Sequence, residues 1–150
     1  GPWQFGKQDQ GFITMWLANH LMKKKILYIG FNGGGNQVRD VLHIDDVCDI
    51  IYLQINNLRK KFNNIFNIGG GIKNSISLHE LTMKCEDITG NKIEFGRVSK
   101  TSKFDIPYFI TDNSKFQKYY KWKPKNNLNM IFNDILLWLK NNKKIRKYFK

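Results

Sequence analysis

Short apolar runs alternate along this sequence with longer segments in which apolar residues recur every three or four positions. The longer segments predict amphipathic helices over 11–22, 45–55, 75–90, 111–120 and 127–139. The short runs predict strands over 26–29, 37–44, 64–68 and 92–96, with an extended stretch at 105–110. This alternation predicts an α/β fold. A length of 150 residues suits a single domain over 1–150.

Polar residues mark the ends of the predicted helices. Ser77 is followed three positions later by Glu80, which is the spacing of a capping box. Gly90 then predicts the end of that helix. The candidate N-caps are Asp45 or Asp46, Ser75 or Ser77, Thr111 or Asp112, and Asn127 or Asn129. Residues 141–150 are polar, so we expect a frayed tail there.

A formal net charge of +13 favours anionic ligands. The lysines are scattered among many asparagines, so we expect no nucleic-acid partner. No segment approaches the ~20 apolar residues of a membrane span, and no signal-peptide pattern opens the chain, so we expect no membrane partner. The chain begins without Met, which favours a fragment or a processed chain.

Cysteine and histidine usage predicts neither a metal site nor a thiol nucleophile. Cys48 and Cys85 lie in apolar helical patterns, where buried free thiols are expected. Such thiols indicate a reducing, cytoplasmic location. The three histidines lack metal-ligand spacing, so we expect structural roles for them.

Two glycine triplets, at 33–35 and 69–71, are candidate phosphate loops. Neither has the spacing of a dinucleotide-binding or P-loop motif. The first lies between two predicted strands and lacks a helix N-terminus to stabilise a phosphate. The second precedes a helix by several residues, and it either forms a turn or lines a ligand. For the adjacent Asp45 and Asp46, helix capping is a better explanation than acid–base catalysis.

Five segments, in order along the chain, resemble extended short-chain dehydrogenases that act on sugar nucleotides. QVRDVLHIDD at 37–46 is similar to their R-D-x-x-H-V-x-D segment. GPWQFGKQDQGF at 1–12 resembles a segment of the CDP-tyvelose 2-epimerases, also called CDP-paratose 2-epimerases. The other three segments are ILYIGFNGGGNQVRD, IFNIGGGIKNSISLHEL and DIPYFITDNSKFQKYYKWKPK.

The resemblance implies the C-terminal, substrate-binding lobe of a Rossmann-type, NAD-dependent epimerase or dehydratase. In this family the N-terminal half holds NAD through a glycine fingerprint and supplies a catalytic Tyr-x-x-x-Lys pair, and we expect this chain to lack both. We therefore expect NAD to bind mainly to that other half. This chain is expected to bind the nucleotide-diphosphate sugar, most simply a CDP-sugar, and to have no catalytic residue of its own.

Residue roles follow from the same resemblance. Arg39 matches the arginine that contacts the pyrophosphate, and its alternative is a surface pair with Asp40. Asp105 matches the aspartate that hydrogen-bonds the ribose. Tyr28 to Phe31 would line the base, with Phe31 either stacking on it or packing in the core.

Gln4 falls near the expected position of the sugar. Two positions depart from the family pattern. Trp3 stands where the family often has arginine, and Ser102 stands where a second phosphate-binding arginine is common. Lys103 or Lys100 could supply the missing charge, although a lysine lacks the two-pronged geometry of arginine.

Other functions compete with this interpretation. The chain could be a freestanding binding subunit that completes an enzyme in trans, with a homodimer or an N-terminal partner chain, or it could be a remnant without function. In the family, the segments matching 47–58 and 65–68 pack on the N-terminal half. The isolated chain is therefore expected to expose a large apolar patch and to aggregate or self-associate.

Overall fold

The computed structural model describes residues 1–5, 11–57 and 65–149. The α-helices in these ranges are α1 (Phe12–Met22), α2 (Ile44–Ile55), α3 (Leu78–Thr89), α4 (Ser114–Tyr120) and α5 (Leu128–Asn141). The strands are β1 (Ile26–Ile29), β2 (Val38–Asp40), β3 (Ser75–Ser77), β4 (Phe95–Val98) and β5 (Tyr108–Phe109). Short 3-10 turns cover Phe31–Gly33, Ile72–Asn74 and Lys143–Tyr148.

The strands form two small sheets. β1 and β4 pair in parallel, with Tyr28 opposite Arg97. β2 is the central strand of the other sheet, antiparallel to β3 and parallel to β5. The α/β class is therefore confirmed. Because Val38 and Arg39 pair with strands on both sides, their backbone is held in place.

The main core lies where α1, α3 and α5 meet β1. Leu17 and Leu81 are fully buried in it. The Thr82 hydroxyl accepts hydrogen bonds from Trp16 Nε1 at 3.0 Å and from the Tyr28 hydroxyl at 2.6 Å. Two polar groups inside this core therefore have partners, which avoids the cost of burying them unpaired.

A second, smaller core joins α2 to α4 through Ile50 and Phe116. Beside it, the fully buried Asp46 accepts hydrogen bonds from the backbone N–H groups of Lys125 at 2.9 Å and Asn126 at 3.2 Å. These bonds fasten the start of α2 to the segment that leads into α5.

The predicted caps of α3 and α5 are confirmed. Ser77 Oγ accepts from the backbone N–H of Glu80 at 3.1 Å, and the Glu80 carboxylate accepts from the backbone N–H of Ser77 at 2.8 Å. Gly90 follows α3 in the left-handed conformation, with φ of 69°. Asn127 Oδ1 accepts from the backbone N–H of Met130 at 3.1 Å.

The predicted cap of α2 is wrong. His43 occupies that position, and its Nδ1 accepts from the backbone N–H of Asp45 at 3.1 Å. Asp46 instead makes the contacts that fasten α2 to the segment before α5. At α4 the residue in the N-cap position is Asn113, although the Asp112 carboxylate accepts from the backbone N–H of Ser114. That bond lowers the Asp112 pKa.

Several segments differ from their predictions. Residues 65–68 form no strand, and residue 64 lies outside the described residues. β2 covers only Val38–Asp40 of the predicted strand over 37–44, and α2 already begins at Ile44. The tail was expected to fray, yet Phe149 is fully buried and Arg146 Nε donates to the Leu139 carbonyl at 2.9 Å. Contacts of Phe149 and Arg146 therefore hold residues 141–149 against the rest of the chain, although their composition is polar.

The two cysteines are both free, but they lie in different surroundings. Cys85 is buried as predicted, and burial raises the pKa of its thiol. Cys48 is exposed, because the α2 face that carries it is not covered. In the described part of the chain, no helix combines the length and the apolar character needed to cross a bilayer.

Candidate functional site

Arg39 occupies the middle of β2, opposite Ile76 on β3 and Phe109 on β5. Its side chain is 27% exposed. A guanidinium that projects from the central strand of a sheet starts from a well-defined position. Such preorganisation lowers the entropic cost of binding a ligand.

Three hydrogen bonds hold the Arg39 guanidinium. Nη2 donates to Asp105 Oδ1 at 2.5 Å and to the Ile106 carbonyl at 2.7 Å. Nη1 donates to the Val38 carbonyl at 2.7 Å. The two residues predicted to contact the pyrophosphate and the ribose, Arg39 and Asp105, thus lie in direct contact although they are 66 positions apart.

The alternative pairing of Arg39 with Asp40 is not what the structure contains. The Asp40 carboxylate accepts from the backbone N–H of Gly71 at 2.9 Å and from Thr111 Oγ1 at 3.2 Å. Asp40 therefore ties the second glycine triplet to the chain after β5. This role was missed by sequence reasoning, although Asp40 stands beside Arg39 in the segment that carried the resemblance.

Most N–H groups of the Arg39 guanidinium already donate hydrogen bonds within the chain. Of the five guanidinium N–H groups, both on Nη2 and one on Nη1 are used, so Nε–H and one Nη1–H remain. Both two-donor edges of a guanidinium include Nη2. A bidentate grip on a phosphate therefore requires Asp105 or the Ile106 carbonyl to give up its bond.

Asp105 is 34% exposed, and its Oδ1 also accepts from the backbone N–H of Ile106 at 3.0 Å. Lys103, two residues earlier in the same loop, is exposed. The loop thus contains a carboxylate that contacts Arg39 and an exposed ammonium group two residues before it. A basic side chain here can add charge to the site but no planar, two-pronged contact.

Phe31 is half-buried in the turn after β1 and has a φ of 47°. Its backbone N–H donates to Thr101 Oγ1 at 2.8 Å, a contact that no sequence signal indicated. Gln4 is exposed, with its Oε1 3.5 Å from the Gly1 amino group. Within the described ranges, no contact joins Gln4 to Arg39.

Tyr28 lies in the core instead of lining an open surface. It is 2% exposed, its ring stacks on Phe95 at 4.9 Å between centroids, and its hydroxyl donates to Thr82. Burial raises the Tyr28 pKa. This placement removes Tyr28 from the candidate binding residues. Strand alternation explains the error, because Tyr28 faces inward while its neighbours Leu27 and Ile29 face outward.

The glycine triplets do not fit NAD. A Cβ at Gly69 would lie 2.3 Å from Thr111 Oγ1, and a Cβ at Gly70 would lie 2.0 Å from the Val41 carbonyl oxygen. The missing side chains at Gly69 and Gly70 thus make room for neighbouring parts of this chain. The first triplet lies between β1 and β2, a connection that contains a 3-10 turn and no α-helix. Gly70 and Gly71 do border a cavity of about 560 Å³, so the second triplet is open to a small ligand.

The expectation that the chain lacks a Tyr-x-x-x-Lys spacing is wrong, because Tyr119 and Lys123 have it. α4 ends at Tyr120, and Lys121 has a φ of 51°. Lys123 therefore does not follow Tyr119 on one helical face, as a pair four residues apart in a helix would. Tyr119 packs beside Phe66, with 5.6 Å between ring centroids.

Known proteins resemble this chain in both sequence and fold. Residues 1–69 match the model of the NAD dependent epimerase/dehydratase family. A CDP-paratose 2-epimerase from Salmonella typhi is 34% identical over 127 residues, which is 83% of this chain and 37% of that protein. This chain belongs to the NAD-dependent epimerase/dehydratase family.

Two solved structures illustrate the fold of this family member. A UDP-glucose 4-epimerase from Thermotoga maritima, solved with UDP-glucose, is 24% identical with a TM-score of 0.77. The match covers 95% of this chain and 43% of the epimerase chain. A dTDP-glucose 4,6-dehydratase from Bacillus anthracis, in complex with NAD, is 22% identical with a TM-score of 0.77. The match covers 100% of this chain and 44% of the dehydratase. This chain thus spans less than half the length of these relatives.

Proposed function

We propose that this chain provides the sugar-nucleotide-binding lobe of an NAD-dependent nucleotide-sugar epimerase of the CDP-tyvelose (CDP-paratose) 2-epimerase type. The contact between Arg39 and Asp105 is the main support. It joins a guanidinium suited to a pyrophosphate with a carboxylate suited to ribose hydroxyls, on a half-buried surface. Redox chemistry would belong to NAD held outside the described residues, and this lobe would hold and orient the substrate.

The choice of cytidine rests on one relative. The protein with 34% identity is a CDP-paratose 2-epimerase, whereas one solved structure of this fold holds UDP-glucose. A nucleotide-diphosphate sugar is therefore the broader proposal and a CDP-sugar the narrower one. We also propose a reducing, cytoplasmic location, supported by the free thiols of Cys48 and Cys85.

Calorimetric titration of the chain with CDP, UDP and NAD tests the proposal. We expect CDP to bind more tightly than UDP, and NAD not to bind. Arg39→Ala should weaken CDP binding about 10- to 100-fold, since it removes charge-assisted hydrogen bonds. Arg39→Lys should fall between Arg39→Ala and wild type, because it keeps the charge and loses the planar fork.

Lys92→Ala is the matched control, because it removes one exposed positive charge outside the site. It should leave CDP affinity within about twofold, as expected for the loss of one screened surface charge. Equal CDP binding by wild type and Arg39→Ala would refute the assigned role. Equal binding of UDP and CDP would remove only the narrower proposal.

A second test follows from the hydrogen bonds that Arg39 already makes within the chain. Asp105→Asn weakens the competition for Nη2, so inorganic pyrophosphate should bind about threefold to tenfold more tightly. Cytidine should bind more weakly, because the ribose loses a charged acceptor. Parallel losses for both ligands would mean that Asp105 only maintains the shape of the site.

The alternative of a binding subunit that works in trans draws support from α2. Its exposed apolar side chains are Ile44, Ile51, Tyr52 and Ile55. Ile51, Tyr52 and Ile55 follow Ile44 by seven, eight and eleven residues, which are spacings that return to one helical face. A surface of this kind suits a second chain, either an N-terminal partner or another copy.

A further inference from the structure

The cavity of about 560 Å³ beside the second glycine triplet lies between the turn Ile72–Asn74, the chain after β5 and the segment that leads into α5. Hydrogen bonds join its walls. Asn74, which is 4% exposed, donates from Nδ2 to the Asn126 carbonyl at 2.8 Å. Asn113 donates from Nδ2 to the Gly69 carbonyl at 2.6 Å and accepts from the Gly69 N–H at 2.8 Å. These bonds fix the walls in place, which lowers the entropic cost of binding a ligand between them.

This cavity is separate from the surfaces assigned above. Its lining contains neither Arg39 nor Asp105. It also contains no residue of 1–5, 47–58 or 65–68, which are the segments near the expected sugar or against the expected N-terminal half. A ligand held here would therefore occupy space that neither the nucleotide sugar nor the N-terminal half is expected to fill.

Two exposed lysines at the cavity have no partner for their positive charge. Lys73 and Lys123 line it, and neither ammonium group has an ion pair or a hydrogen bond within 1–5, 11–57 or 65–149. Lys125 also lines the cavity, but its ammonium group pairs with Asp49. Because the first two lysines are exposed, a ligand in the cavity can reach both of their ammonium groups.

The carboxylates near the cavity already accept hydrogen bonds from this chain. Among the described lining residues the one carboxylate is Asp112, which accepts from the Ser114 N–H at 2.8 Å. Asp40 lies against two lining residues, and its carboxylate accepts from the Gly71 N–H and the Thr111 hydroxyl. The charges left without a partner are thus both positive, which favours an anionic ligand over a cation.

The neutral part of the lining is rich in amides. Side-chain amides are supplied by Asn74, Asn113, Gln117, Asn126 and Asn127. Gln117 is half-buried, and its side chain makes no hydrogen bond to any described residue. An amide offers both donors and an acceptor, so it suits the hydroxyls or oxygens of a polar ligand. The described lining contains no aromatic ring, which disfavours a nucleobase because bases usually stack on one.

We propose that this cavity is a second binding site, for a small non-aromatic polyanion whose negative groups are phosphates or carboxylates. Each of the two free ammonium groups then gains an opposite charge, and the amides bond to the rest of the ligand. The volume is that of a small-molecule site. The second glycine triplet would thus both form a turn, at Gly71 with a φ of 69°, and border a ligand.

Amide NMR spectra of the full chain test the site, because shifted signals identify the residues that a ligand contacts. Citrate and glycerol 3-phosphate are the anionic probes and glycerol is the neutral probe, all at constant pH and ionic strength. We expect both anions to shift the backbone signals of Gly71 and Asn126 and the side-chain signal of Gln117, with dissociation constants on the order of 1–10 mM. Tighter binding of citrate would identify carboxylates as the preferred groups, and tighter binding of glycerol 3-phosphate would identify phosphates.

Lys73→Gln and Lys123→Gln should each weaken the binding of both anions about threefold to fivefold, since exposed charges contribute modestly. The double variant should weaken it about tenfold or more. Lys92→Gln is the matched control, because it removes an exposed lysine that does not line the cavity, and it should leave both constants within about twofold. Arg39→Ala should leave the shifts of Gly71 and Gln117 unchanged.

Four results would overturn this assignment. They are absent shifts with both anions at about 50 mM, well above the expected constants, equal shifts with glycerol, unchanged binding by the double variant, and loss of the shifts on Arg39→Ala. The last result would make the cavity part of the nucleotide site. Failure of the proposed nucleotide function is seen separately, in the CDP titration.

Discussion

α5 and α2 both bury an apolar face, but α2 has a second apolar face that the described residues leave exposed. Ile135 on α5 is 1% exposed, whereas Ile51 on α2 is 51% exposed and Tyr52 is 70% exposed. α2 also has an inner apolar side, where Ile50 is 2% exposed. α2 is thus apolar on two sides and covered on one.

The contrast shows what a periodic pattern predicts and what it leaves open. Spacing identifies which residues share a face, but it does not specify what covers that face. For α5 the cover is α1 and the main core. For the outer face of α2, no cover exists among the described residues, so a further surface is expected there.

The largest expected difference is in stability. Ile135→Ala should lower the free energy of unfolding by about 2–5 kcal/mol, because it opens a cavity in the core. Ile51→Ala should change that free energy by less than about 0.5 kcal/mol. Urea denaturation of both variants measures the difference. Equal losses would mean that α2 is covered within the folded chain in solution.

A smaller effect is expected in self-association. If the outer face of α2 drives it, Ile51→Lys should weaken association about tenfold, since a charge would have to be buried. Analytical ultracentrifugation over a range of concentrations measures this change. Met83→Lys is the matched control, because Met83 is 59% exposed on α3. A wild-type chain that stays monomeric at high concentration contradicts the prediction.

The smallest effect concerns the cap of α3, a helix that packs into the main core. Ser77→Ala should cost about 1 kcal/mol at neutral pH. Hydrogen bonds from Ser77 lower the Glu80 pKa in the folded chain. A carboxyl group whose pKa is lower in the folded chain than in the unfolded chain stabilises the fold at pH values above its unfolded pKa. That stabilisation is lost as the pH falls through the folded pKa. The difference between variant and wild type should therefore shrink on acidification, as followed by urea denaturation from pH 7 to pH 3.

Signals that act within a few residues were read correctly from the sequence. The capping box of Ser77 and Glu80 and the cap at Asn127 involve partners three residues away. The paired site residues, Arg39 and Asp105, came from the family resemblance and not from spacing. Nothing in the local pattern indicates that these two side chains touch.

Features that depend on distant partners could not be predicted from the local pattern. Residues 65–68 look like a buried strand, but no strand within 1–5, 11–57 or 65–149 pairs with them. The composition of the tail gave no sign that Phe149 would stack on Phe5, with 5.6 Å between centroids. The capping role of His43 was hidden by two aspartates that are better cap residues by propensity.

The buried Asp46 has a consequence for the order in which this chain acquires structure. Its partner Lys125 lies 79 positions later, so the bond closes a long loop. Closing it requires the last third of the chain, and contacts of such long range form slowly. During synthesis on a ribosome, α2 would therefore lack these contacts, with both apolar sides exposed, until the segment before α5 has been made. A chaperone that binds exposed apolar helices would bind α2 during that interval.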